Sequence, residues 1–326
     1  MRTEDIRKNQ ATDALMKLRS FLDTKEPELV YWLQHIWRQQ QRAITYKELR
    51  EAIMSGVLSQ QLIEDWQQDY SKFVVAYLLP AYREAMVEAA KELSDRYPLF
   101  LFNPAADGVV EWTTMRAAHF VTNVTTDQIK AIGAVVERAS RLQDMTVDGL
   151  ARAIRPMVGL THGQAIANLN YYNKMIEDGV PQKKALENSI KYSARQNRYR
   201  GYNIARTELA FAYNKGQHLG VVQAQEEGYM GHTKKVWCTA DDERVCEICG
   251  GLDGQTIEMD EHFDFQTKLK RRQPDITLTP PAHPSCRCTV IYEEVSHPHS
   301  KRRRKAVNAE KSHKKEDRQS ENAVLF

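Results

Sequence analysis

From Met1 to about Leu93 apolar residues recur at helical spacing, and strand-type alternation is nearly absent. Leu62, Ile63, Trp66, Phe73, Val74 and Tyr77 punctuate polar stretches such as Arg38 to Arg42 and Gln60 to Gln68. That pattern predicts long amphipathic helices with wet polar faces. Pro27, Gly56 and Pro80 are the expected breaks. A cluster of turn residues from Tyr97-Pro98 to Gly108 marks a first boundary, because Pro, Asn and Gly there favour non-helical backbone.

Beyond it, two Thr-x-x-Gln sequences, Thr125 with Gln128 and Thr161 with Gln164, read as capping boxes. The first precedes Ile129, Ile132 and Val136, and the second precedes Ile166, Leu169 and Ile176. The second helix should stop at Asp178-Gly179-Val180-Pro181, where Gly accepts a left-handed cap and Pro blocks continuation. Another helix is expected after Pro181, carrying Leu186 and Ile190. Ala205, Leu209, Ala212, Gly216 and Leu219 then form a narrow seam of small residues suited to close helix packing. Arg206-Thr207-Glu208 on that helix reads as a solvated or ion-paired turn. The helical pattern stops at Glu226-Glu227-Gly228.

From Trp237 to Tyr292 the texture changes to turn residues and short β-favouring pieces such as Thr289-Val290-Ile291-Tyr292, and all five cysteines fall in this stretch. Its thin apolar content requires some other source of stability. The last segment is charged and expected to be disordered. The fold class is therefore mainly α: helical regions over 1–98 and 99–229, a small cysteine-containing α+β module over 230–295, and a disordered basic tail over 296–326.

Charge refines this division. The 46 Lys and Arg against 43 Asp and Glu give a net +3. The tail from Lys301 holds nine basic and four acidic residues, so the body is slightly acidic and the basicity is local. Lys301, Arg302, Arg303, Arg304 and Lys305 are the candidate polyanion contacts. The longest apolar run, Phe73 to Leu79, is far short of the roughly 20 residues that span a bilayer, which excludes a transmembrane helix. No apolar stretch follows the charged N-terminus, so synthesis in a cytosol is expected.

Cys246 and Cys249 form a Cys-x-x-Cys pair, and after 33 intervening residues come His283, Cys286 and Cys288. Two thiolates of such a knuckle can converge on one ion, and residues two apart on a strand share a face. Three uses fit the pattern: a tetrahedral zinc site of Cys246, Cys249, Cys286 and either Cys288 or His283; free thiols buried under a β-hairpin; or an oxidised pair in an extracellular particle. Zinc would supply the folding energy the module lacks. Cys238 lies outside the cluster as an ordinary buried thiol. Asp241 and Asp242 read as solvated or capping acids. Phosphate-binding loop, serine-elbow and His-Glu-x-x-His patterns are absent.

Ile204-Ala-Arg-Thr-Glu208, Trp237 through Cys249, Leu252-Asp-Gly254 and Pro280 through Cys288 together resemble the phage Mu F-like minor head protein family, also called the head morphogenesis family, over about Leu150 to Tyr292. The resemblance implies a non-enzymatic minor component of a tailed-phage or prophage head, made in the host cytoplasm and ending in the virion. Its implied partners are the portal and other head proteins, with packaged DNA reached through the basic tail. The motif residues carried over are Arg206, Thr207, Glu208, Trp237, Asp241, Arg244, Gly254, Pro284 and Arg287, beside the cysteines and His283. The rival readings are a zinc-stabilised HNH-like nuclease and a zinc-ribbon nucleic-acid binder. The nuclease would need further ligands among Glu293, Glu294, His297 and His299; the binder draws on Lys268, Lys270, Arg271 and Arg272.

Overall fold

The computed structural model describes residues 3–139, 146–240, 242–264 and 278–295. Among the described residues eight α-helices precede the module: α1 (Thr3–Ala43), α2 (Tyr46–Ser55), α3 (Gln60–Phe73), α4 (Leu79–Arg96), α5 (Asp107–Ala139), α6 (Val147–Ile154), α7 (His162–Glu177) and α8 (Gln182–Glu226). β1 (Thr233–Cys238), the short α9 (Glu247–Gly250), β2 (Thr256–Glu258) and β3 (Thr289–Glu294) follow. The mainly α class with a small cysteine-bearing α+β module is what the chain adopts. No helix among the described residues is long and apolar enough to cross a membrane. The tail from residue 296 lies outside the described residues.

Several local expectations hold. Thr161 and Gln164 make a reciprocal capping box at the start of α7. Gly56, Gly179 and Gly228 all take positive φ at helix ends, where a side chain would be strained. Others fail for physical reasons. Thr125 and Gln128 sit inside α5, both buried. The Gln128 amide there serves tertiary structure: its oxygen accepts from the Tyr70 hydroxyl at 2.7 Å and the Gly159 N–H at 3.1 Å. The second capping box is instead Thr45 with Glu48, ahead of α2.

Pro27 does not interrupt α1. An interior Pro costs about 3 kcal/mol, whereas each well-buried apolar side chain returns about 1.5–3 kcal/mol. Leu29, Val30, Leu33 and Trp37, all buried just beyond it, outweigh the penalty. Nor does Pro80 end its helix. A π turn, Val74–Leu78, lies directly ahead, with Leu79 N–H pairing back to Val74 O. The wider turn removes carbonyls from the positions the proline ring would strike. The helix expected after Pro181 and the small-residue seam are one 45-residue helix, α8.

The contacts divide the chain into two compact units. One comprises Met1–Ser20, Ala85–Val109 and Ala210–Phe326; the other comprises Phe21–Glu84 and Val110–Leu209. In the first, Leu93, Phe100, Val221, Ala224 and Met230 form an apolar cluster. Gly216 of α8 lies against α4 so closely that a Cβ there would come within 2.4 Å of Met86 Cα. Gly216→Ala should therefore destabilise the protein by about 1–3 kcal/mol through overpacking, against the 0.5–1 kcal/mol that alanine normally adds to a helix. Urea unfolding reads this; a raised midpoint would mean that the helices can part without loss.

In the second unit Arg116 donates to both carboxylate oxygens of Glu208, at 2.8 Å each, and the Tyr82 hydroxyl donates to the same carboxylate. All three side chains are buried. Arg206, two positions earlier, faces the other way and pairs with Glu26 through hydrogen bonds of 2.6 and 2.9 Å.

Candidate metal centre

The module is organised on β1, the middle strand of an antiparallel sheet ordered β2-β1-β3. Val236 pairs with Thr256 on one side and Ile291 on the other, and Cys238 pairs with Thr289. Its inner face carries Trp237, fully buried and edge-on to Phe263 at 5.0 Å. The Leu252-Asp-Gly254 motif fastens the end of this strand. Asp253 accepts from Thr239 N–H at 2.8 Å, and Gly254, at φ +75°, donates to Trp237 O at 2.9 Å.

Between β1 and β2 the chain makes the Cys-x-x-Cys knuckle. Cys246 caps α9, and its sulfur accepts from Cys249 N–H at 3.4 Å. Ahead of β3 a tight turn, closed by Cys286 N–H to His283 O at 3.1 Å with Ser285 at φ 59°, returns the second group to the same place. Cys286 and Cys288 enter from this turn and not from the strand itself, since β3 begins at Thr289.

All five expected side chains meet. His283 Nε2 is 3.2 Å from both Cys246 Sγ and Cys249 Sγ, and Cys249 Sγ is 3.6 Å from Cys286 Sγ. The donor atoms form two overlapping groups, Cys246–Cys249–His283 and Cys249–Cys286–Cys288, each within 4.8 Å, so Cys249 belongs to both. A tetrahedral zinc with Zn–S near 2.3 Å has sulfur–sulfur edges of about 3.8 Å and sulfur–nitrogen edges of about 3.5 Å. These three separations are near those edges, and the cluster could hold a metal. His283 Nδ1 lies 2.9 Å from Pro284 O, which assigns the proton to Nδ1 and leaves Nε2 bare towards the thiols.

The thiols share protons unequally. Hydrogen bonds with Cys286 and then Cys288 push the Cys249 thiol up, whereas hydrogen bonds from Cys249 and then Cys288 pull Cys286 down. Cys249, Cys286 and Cys288 lie in one apolar cluster with Trp237, Leu252, Phe263, Ala282 and Val290. Cys238 stands apart, packed near Ala14, Val236 and Ile291, and burial pushes its thiol up to about 12. It is an inert buried thiol, as expected.

Asp242 proves to be an anchor. Its carboxylate receives Arg287 at 2.6 and 2.7 Å and the Arg244 backbone N–H at 3.0 Å, and the Arg287 guanidinium holds it well below the usual carboxylate range. Arg287, lying between two cysteines, thus ties the second group to the segment leading into the knuckle. The Asp-x-Arg spacing of Asp242 and Arg244, typical of a side-chain-capped turn, was the available signal. Asp241, Lys268, Lys270, Arg271, Arg272, His297, His299 and the Lys301–Lys305 block lie outside the described residues. Glu293 is bound to Arg7 by two 2.6 Å hydrogen bonds, and Glu294 accepts from Gly231 N–H at 2.8 Å.

Residues 150–291, which hold this whole constellation, match the family model described as phage Mu protein F like protein. No curated protein and no solved structure matches the chain.

Proposed function

We propose that the chain, whose residues 150–291 match the model of the phage Mu protein F-like proteins, is a minor head protein bound to the portal and needed for head assembly or DNA delivery. The observation that carries this reading is that the family segment coincides with the convergent cysteine–histidine cluster and its Asp242–Arg287 clamp. On this reading the cluster is structural. Cys246, Cys249 and Cys286 hold a zinc ion with His283 or Cys288 as fourth ligand, and the ion contributes folding energy to a module with a small core. Portal contact falls to the helices of residues 1–98, where Met16, Tyr31, Met54 and Val75 are exposed. The basic block at 301–305 reaches packaged DNA.

Co-expression with the portal protein of the same phage or prophage tests the assignment. A complex that survives gel filtration is expected, together with the chain in purified particles at far fewer copies than the major capsid protein. Failure to find the chain in either would remove it from the head.

A further inference from the structure

The first half of α8 carries a pattern that the head-protein reading leaves unused. Between Gln182 and Tyr202 the exposed charged side chains are Lys183, Lys184, Lys191, Arg195 and Arg198 against a single acid, Glu187. At about 100° per residue, Lys184, Lys191, Arg195, Arg198 and Tyr202 all fall within about 40° of one line along the helix. The buried residues Ala185, Ser189, Ser193 and Arg200 mark the opposite side, so this line points away from the unit's core. None of the five cations pairs with a carboxylate among the described residues. The buried Arg200, by contrast, is tied to Asp127 and Gly159 O.

Aromatic rings hold the two arginines. The Arg195 guanidinium lies 5.8 Å from the Tyr192 ring centroid and Arg198 lies 5.9 Å from that of Tyr202. Tyr192 is itself packed on Tyr171 at 5.0 Å. Stacking orients the guanidiniums without neutralising them, which leaves their donors for another partner. From Lys184 to Arg198 the stripe is about 21 Å long, a length over which a duplex presents about twelve phosphates. It contains no Leu, Ile, Val or Met to anchor a protein partner in a pocket.

We propose that this outer face of α8, Lys184, Lys191, Arg195 and Arg198, binds the phosphate backbone of duplex DNA without sequence preference, independently of the Lys301–Lys305 tail. The charge pattern identifies a polyanion; choosing DNA as that polyanion rests on the head-protein reading. The stripe lies on the surface of one compact unit and owes nothing to the metal.

Anisotropy of a labelled 30-base-pair duplex with the full-length protein, across a salt series, tests the proposal without reference to particles. The combined Lys184→Gln, Lys191→Gln, Arg195→Gln and Arg198→Gln variant should lower the slope of log K against log salt by about three to four and weaken binding at least about tenfold at 0.1 M salt. Glu187→Lys, which removes the one acid beside the stripe, should steepen the slope by about one and strengthen binding severalfold. Both effects should persist when residues 301–305 are all changed to Gln. An unchanged slope in the folded fourfold variant overturns the proposal, as does complete loss of binding on neutralising the tail alone. If the fourfold variant does not fold, Glu187→Lys decides: no gain in affinity ends the idea. Competition by poly-glutamate as effective as unlabelled duplex at equal charge would also overturn it, in favour of an acidic protein.

Discussion

Cys249→Ser should purify without the zinc proposed for the cluster and leave residues 230–295 open to protease while α1 to α8 keep their helical signal. The expectation follows from geometry, since Cys249 is the one side chain common to both donor groups and is buried in the module's core. Structural zinc supplies on the order of 10 kcal/mol of apparent binding energy. A small three-stranded sheet has no comparable reserve, so losing the shared ligand exceeds what burial can replace. Zinc content of protein purified under reducing, chelator-free conditions, with limited proteolysis, reads both effects. His283→Ala and Cys288→Ser distinguish the fourth ligand: the true one should lose metal, the other should retain it. Metal-free wild-type protein together with unchanged protease resistance in Cys249→Ser would defeat the zinc reading. Normal folding with loss of a DNA-cleaving activity in His283→Ala would point to the nuclease.

Glu208→Ala should destabilise the unit formed by Phe21–Glu84 and Val110–Leu209 by about 3–5 kcal/mol, because it removes the carboxylate that receives both hydrogen bonds of the buried Arg116 guanidinium. The Arg116 and Glu208 side chains are only 7% and 10% exposed, so water cannot take the lost partner's place. Calorimetry should register a fall in Tm of many degrees. Replacing the pair together, with Arg116→Met and Glu208→Leu, should recover much of the loss. The exposed Arg50–Asp148 pair, at 50% and 57%, provides the contrast, and Asp148→Ala should change stability by less than about 1 kcal/mol. A loss near 1 kcal/mol in Glu208→Ala would mean that water reaches the Arg116 site.

These two sites show what a sequence can and cannot convey. The cysteine spacing announced convergence because metal-type ligand sets are chemically rare, and all five expected side chains are together. Which four would share an ion was unreadable, since it depends on a turn at Pro284-Ser285 and on a strand that starts one residue after Cys288. Caps such as Thr161 and Gly179 were legible because their partners lie within a few residues. Thr125 with Gln128 has an identical local signature but sits in mid-helix, where Tyr70 and Gly159 claim the amide. Arg206 and Glu208 are two positions apart yet meet Glu26 and Arg116, partners 180 and 92 positions away, which no local pattern specifies. Pro27 misled because its local penalty is visible in sequence and the burial that overrides it is not.

The Arg7–Glu293 pair joins residues 286 apart, and the unit that contains it takes its first piece from Met1–Ser20 and its last from the chain beyond Ala210. At about 5–20 residues per second, a ribosome makes Arg7 roughly 15–60 s before Glu293 exists. The other unit lacks this delay, because all its residues have been made once Leu209 has left the tunnel. Synthesis therefore imposes an order: the interior unit can close first, while the leading segment of α1 waits for β3 to arrive. A stalled or clipped chain ending before residue 289 would carry a finished interior unit and an unfinished terminal one. Pairing of β3 thus reports that synthesis has passed the cysteine module, ahead of any assembly that requires both units.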